Sequence, residues 1–135
     1  MKLVIVGEPV AAGRPRFSSR GGFVKAYDPK KSRDYKALIK QCFAKQIGSK
    51  PLTGPLEVTI RIYRPIQKSI SQKERARRLL NKVKPTVKPD VDNYIKIALD
   101  GLNGLAWVDD NQIIKITAIK YYSDEPKMEV EVNGS

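Results

Sequence analysis

The sequence predicts a single α+β domain in which helices pack on a mixed β-sheet. Three observations predict it. Segments alternating apolar and polar residues at a period of two are interspersed, without regular alternation, among segments whose apolar residues recur at helical spacing. The length, 135 residues, suits one hydrophobic core and is too short for two. No repeat, low-complexity tract or linker interrupts the chain, so residues 1–135 read as one domain.

Leu3 to Val6 is apolar and rich in β-branched residues, a buried strand closed by Gly7 and Pro9. In the next stretch, Gly13-Arg14-Pro15-Arg16-Phe17 and Arg20-Gly21-Gly22-Phe23-Val24-Lys25, a Gly-Gly pair between short aromatic-bearing runs predicts a hairpin or a mobile loop. Arg14, Arg16, Arg20 and Lys25 make it basic. Arginine forks suit phosphate oxygens, and Phe17 or Phe23 suits stacking on an unpaired base or wedging between bases. The competing reading is a solvated basic loop with both phenylalanines in the core.

Asp28-Pro29 predicts a helix start, with aspartate as N-cap and proline at the first helical position. Tyr35, Leu38, Ile39, Cys42, Phe43 and Ile47 then follow the helical period, and Gly48 ends the helix. Lys30, Lys31, Arg33, Lys36, Lys40 and Lys45 populate the other side, as a solvated face or a stripe for phosphates. After a loop punctuated by Pro51 and Pro55, Leu56, Val58, Ile60 and Ile62 alternate with polar neighbours in a strand stopped by Pro65.

Ser71-Gln72-Lys73-Glu74 fits a capping box, and Ala76, Leu79, Leu80 and Val83 follow at helical spacing. This second helix carries Lys73, Arg75, Arg77, Arg78, Lys82 and Lys84 and leads through Lys88 into an acidic cluster. It reads either as a holder of a nucleic-acid backbone or as a flexible solvated arm. Tyr94, Ile95, Ala98, Leu99 and Leu102 define a third helix, ended by Gly101 and Gly104. Gln112 to Tyr122 forms a long strand, and Lys127 to Val132 a last one, the two predicted to pair as a hairpin around Ser123–Pro126.

Composition narrows the function. Twenty-six Lys and Arg against 14 Asp and Glu give a net charge of +12, which favours a polyanionic partner such as nucleic acid. No apolar run approaches the roughly 20 residues of a membrane span, and the N-terminal apolar stretch is too short for a signal peptide, so no membrane association and a cytoplasmic site are expected. The absence of histidine removes His-based metal fingers, a histidine general base and the Ser-His-Asp triad. The single cysteine, Cys42, excludes an internal disulfide and lies in an apolar helical stripe, where it reads as core.

Chemistry therefore falls to carboxylates, lysines or a metal-activated water. Asp90 and Asp92, just after Pro89 and just before the third helix, can converge on one cation, and hard oxygen donors suit Mg²⁺ or Mn²⁺. Lys96 lies one helical turn further on the same face. The Asp109-Asp110-Asn111 turn is expected to bring a further carboxylate, Asp110, back beside the pair. Each piece also has a plain structural reading: a helix cap, a turn, and a Lys96–Asp100 surface ion pair.

The order Pro89-Asp90-Val91-Asp92-Asn93, Lys96, Asp100, Asn103-Gly104 and Trp107-Val108-Asp109-Asp110-Asn111-Gln112 resembles the signature of the RusA family of Holliday-junction resolvases. The strong part of the resemblance spans about residues 88 to 113, and the Gly13–Phe17 run is similar to N-terminal segments of phage-type members. The resemblance implies a RusA-like fold and a homodimeric, Mg²⁺-dependent endonuclease that cuts four-way DNA junctions symmetrically. It places the family's metal-binding aspartates on Asp90, Asp92 and Asp110 and its functional lysine on Lys96, with Asp109 a less certain member. Arg14, Arg16, Arg20, Lys25, Lys73, Arg77 and Lys88 are the expected DNA contacts. The alternatives are a DNA-binding protein without catalysis and a nuclease of the same chemistry acting on flaps or forks.

Overall fold

The computed structural model describes residues 1–134; the side chain of Arg20, and the expectation placed on it, lie outside the described residues. Strands β1 (Lys2–Val6), β4 (Leu56–Pro65), β5 (Ile113–Ser123) and β6 (Lys127–Gly134) form one sheet in the order β1-β6-β4-β5. Strands β2 (Arg16–Ser18) and β3 (Lys25–Tyr27) form a separate hairpin, as the Gly-Gly pair predicts. The helices are α1 (Lys30–Gln46), α2 (Gln72–Leu79) and α3 (Val91–Leu102). Within this sheet, among the described residues, β4 and β5 pair in parallel and the other pairings are antiparallel, so the sheet is mixed and the domain is α+β.

The apolar period of β4 organises the core. Leu56, Val58, Ile60 and Ile62 are at most 2% exposed and join Met128, Val130 and Val132 of β6 and Leu3 and Ile5 of β1. Over this face lie Tyr35, Ile39 and Phe43 of α1 and Tyr94, Ile97, Ala98 and Leu102 of α3. The two helices approach closely at Gly101, where an added Cβ would stand 3.0–3.1 Å from carbons of Ile39. Gly101→Val therefore overpacks the contact and should cost about 2 kcal/mol in urea unfolding, with the loss relieved by Ile39→Ala in the same chain.

Four expectations need correction. Helix α1 starts at Lys30 with Pro29 at the N-cap, because the Asp28 carboxylate bonds the Lys36 ammonium instead of capping amides. Helix α2 stops at Leu79: Asn81 takes a left-handed conformation (φ 62°), and the Lys82 and Asn81 amides donate back to the Arg77 and Arg78 carbonyls in a Schellman closure. Strand β1 buries only Leu3 and Ile5, since it is an edge strand, and leaves Val6 79% exposed. Strands β5 and β6 are not a hairpin; β4 inserts between them, parallel to β5 and antiparallel to β6. Its two edges take up both partners, so the buried row of β4 continues into β6.

Candidate metal centre and nucleic-acid interface

Asp90 and Asp92 stand together at the N-terminal end of α3. Asp90 occupies the N-cap position with extended backbone (φ −69°, ψ 151°), yet its carboxylate makes no capping bond. Asp92 lies in the first turn, and both side chains are exposed. Aspartate at this position ordinarily spends an oxygen on a helix amide. Here no capping bond occupies them, and they stand in the partial positive field of the helix end.

Two cations that sequence reasoning passed over fix this corner. Arg64, at the end of β4, donates through Nη1 to the Lys88 carbonyl and lies 3.5 Å from the Tyr94 hydroxyl. Lys120 of β5 donates to the Val87 and Pro89 carbonyls at 2.7 and 3.0 Å. Together they strap residues 87–89 and thereby hold Asp90. Burial, followed by the neighbouring Arg64, lowers the Lys120 pKa from the usual lysine value, against the opposing pull of Asp90. A signal for Lys120 existed in the sequence: it occupies the apolar row of β5, opposite buried Ile62.

Lys96 is exposed one turn along α3 and lies in the field of Asp28. No ion pair joins it to Asp100 among the described residues. The bond from Lys36 holds the Asp28 carboxyl below its ordinary value of 3.8. A depressed carboxyl stabilises the fold above its unfolded value, and the contribution disappears as pH falls through the lower folded value. Lys36→Ala should therefore flatten the fall of melting temperature with pH below about 4, by a small amount because Asp28 is partly exposed.

A cleft of about 700 Å³ opens next to Pro89, lined by Glu8, Arg14, Arg16, Lys31 and Arg64 over a floor that includes Pro9, Val10 and Tyr94. Of the expected DNA contacts, Arg14 and Arg16 thus line the cleft beside Pro89. The β2–β3 hairpin exposes Phe17 and Phe23 at 70% and 71%, which removes the core reading of both, and Lys25 lies on the same hairpin. Lys73 and Arg77 are exposed on α2. That helix is no free arm: Arg78 lies 4.4 Å from the Tyr122 ring centroid, and Lys84, in the segment that follows the helix, 4.7 Å from that of Tyr121, so the helix and its continuation are anchored on the end of β5. Lys88 is exposed beside Asp90.

Asp110 is elsewhere. Its amide donates to the Asn103 side chain at the C-cap of α3, and its Oδ1 accepts the indole N–H of fully buried Trp107 at 2.6 Å. Asp109 caps the short turn Asp110–Gln112 in a capping box with Gln112. The 12 residues of α3 separate Asp90 from this end by about 18 Å. Strand β5 gives the same answer, since Ile113 follows the Asp110 turn while Lys120, about 23 Å along the strand, touches Pro89. Among the described residues no three carboxylates gather, and the turn does not return Asp110 to the pair within one chain.

A basic α+β domain that holds two exposed carboxylates at a helix N-terminus, next to a cleft lined by arginine and lysine, has the composition of a phosphodiester-handling protein. The chain matches the family model described as Endodeoxyribonuclease RusA over residues 7–133, and it belongs to that family. Membership makes it a nuclease of the class associated with Holliday junctions. It is also 40% identical over 134 residues to the uncharacterized protein YqaN of Bacillus subtilis (strain 168), an alignment covering 98% of this chain and 94% of the relative.

Proposed function

We propose that this protein resolves four-way DNA junctions by divalent-metal-dependent hydrolysis, introducing paired nicks at symmetry-related positions. The observation that carries the reading is the Asp90 carboxylate, placed at an N-cap but not used as one, with Asp92 beside it. Two exposed carboxylates with no hydrogen bond or ion pair among the described residues fit Mg²⁺, which commonly takes one or two such ligands and completes its shell with water and substrate phosphate; Mn²⁺ suits the same oxygens. When bound, the ion would neutralise charge on the scissile phosphate and lower the pKa of an attacking water. Lys96 would stabilise charge developing on the phosphate. Arg64 and Lys120 keep Asp90 in place. Arg14, Arg16, Lys25, Lys73, Arg77 and Lys88 would hold the backbone of the branched substrate.

Among the described residues no helix is long and apolar enough to cross a membrane. A nuclease with this charge meets its DNA inside the cell, and we place it in the cytoplasm, as a homodimer matched to the two-fold symmetry of a junction.

Lys96→Ala supplies a test of the site's extent. Cutting of a labelled junction in Mg²⁺ should fall by about 10-fold or more at an unchanged melting temperature. A lowered melting temperature with cutting otherwise preserved would make Lys96 structural.

A further inference from the structure

Resting on the nuclease reading, we propose that the cleft beside Pro89 is a base-reading pocket. It takes one unpaired nucleotide of the bound DNA, with Glu8 selecting guanine through its Watson–Crick edge while Arg14, Arg16 and Lys31 hold the flanking phosphates.

The cleft has the size and the rigidity for such a ligand. Its volume of about 700 Å³ falls within the range of pockets that enclose small organic molecules. One wall is pinned at both sides. The Ala12 amide donates to the carbonyl of Asn93, the residue after Asp92, at 2.9 Å, and the Gly13 amide donates to the Ser32 hydroxyl at 2.9 Å. Gly13 lies so close to the start of α1 that an added Cβ would stand 2.9 Å from Pro29 Cγ. Residues 12 and 13 are therefore tied to the first turns of both α1 and α3, and the wall stands preformed beside the acidic corner.

Charge in the cleft is mixed, unlike that of a plain phosphate track. Arg14, Arg16, Lys31 and Arg64 line it, yet so does Glu8, which is exposed and forms no ion pair or hydrogen bond with them among the described residues. A carboxylate repels phosphate, so an occupant that reaches it must bring hydrogen-bond donors to Glu8 as well as anionic oxygens to the cations. Between the two lies apolar surface, including Val10, Pro29 and Pro89, which suits a flat ring. Phosphate, flat ring and ring-edge donors together describe a nucleotide. A second hollow of about 410 Å³ shares Arg16, Pro29 and Lys31 with the cleft and adds Lys30 and Arg33, with no acidic residue in its lining. The phosphates therefore run on that side, and the base turns towards Glu8.

The choice of base follows from its edge. Guanine offers two adjacent donors, N1–H and the N2 amino group, which match the two oxygens of one carboxylate. Adenine and cytosine set a ring acceptor beside their amino group, and thymine sets its one N–H between two carbonyls, so each turns an acceptor towards Glu8. In a duplex the guanine donors are occupied by cytosine, and they become free only where pairing is broken, as at a branch point. Glu8 thus couples the reading of a base to the reading of an opened duplex, beside the corner formed by Asp90 and Asp92.

Binding of short single strands tests the pocket without reference to cutting. Fluorescence anisotropy in EDTA, at one salt concentration, compares labelled d(TTGTT), d(TTITT), d(TTATT), d(TTCTT) and d(TTTTT), where inosine in the second strand lacks the N2 amino group. The unmodified protein should bind d(TTGTT) about 10-fold more tightly than d(TTTTT), with d(TTITT) in between. Glu8→Gln should bring all the strands within about twofold of one another without weakening d(TTTTT), since the amide turns one donor towards guanine and removes a negative charge. Its melting temperature should be unchanged, because Glu8 is exposed and makes no bond whose loss would destabilise the fold. Arg14→Ala should weaken every strand alike. Equal affinities in the unmodified protein, or no measurable binding, overturns the pocket. A guanine preference that survives Glu8→Gln overturns the assignment of Glu8. The nuclease reading is judged separately: a guanine preference lost in Glu8→Gln, in a protein that cuts no junction, would support the pocket and contradict the enzyme.

Discussion

Asp90→Asn should reduce Mg²⁺-dependent cutting of a four-way junction by at least about 100-fold while leaving junction affinity within about threefold. The asymmetry follows from where the charges sit. On the proposed reading affinity resides in cations that neutralise phosphates, and Arg14, Arg16, Lys31 and Arg64 line a cleft that opens beside Pro89 and does not include Asp90. Replacing a carboxylate with an amide there removes a negative charge from a region that must receive DNA, so binding is preserved or slightly strengthened. Cutting depends on the oxygen donor itself. The variant should also fold normally, because Asp90 makes no capping bond whose loss would destabilise α3. Single-turnover cleavage, with junction binding measured in Ca²⁺, separates the two effects. A variant that cuts at near the unmodified rate removes Asp90 from the site.

Trp107→Ala should cost about 3–5 kcal/mol and lower the melting temperature by roughly 10–20 °C. Trp107 is completely buried, and its backbone is tied into the turn after α3: its carbonyl accepts from Gly104, and it bridges Leu52 and Asn103. Truncation leaves a cavity beneath that turn and removes the indole donor from Asp110. Against a typical domain stability of about 5–15 kcal/mol, the loss is severe. Trp107→Phe distinguishes packing from orientation. It retains most of the ring volume and should cost about 1–2 kcal/mol, with the remaining deficit expressed at the freed Asp110 carboxylate. Circular dichroism melts of the two variants provide the comparison, and equal losses would mean that the hydrogen bond, not the ring, carries the contribution.

Much of the site is local and was therefore legible in the sequence. Pro89, Asp90, Asp92 and the apolar period from Tyr94 to Leu102 mark a helix start with two carboxylates on it, because caps and periods are properties of neighbours in the chain. The alternation in β4 and in residues 127–132 was legible for the same reason. Sheet order was not, since the placement of β4 between β5 and β6 depends on pairing between distant segments. Arg64 and Lys120 reach the corner from 24 to 33 residues away and carry no local mark beyond a cation in an apolar row.

The misplacement of Asp110 has a different cause. Turn residues locate a turn but say nothing of which end of the preceding helix it serves, and a continuous 12-residue helix places the turn at its far end. Asp28 shows the same limit on a smaller scale. Its position before Pro29 fits an N-cap, but Lys36, two turns along, takes the carboxylate.

The central claim is tested most directly by incubating the purified protein with an end-labelled four-way junction and a linear duplex of matching sequence, each in Mg²⁺ and in EDTA. The account predicts paired nicks at symmetry-related positions on the junction alone, lost in EDTA and in Asp90→Asn. Binding without metal-dependent cutting, or equal cutting of the linear duplex, would contradict it.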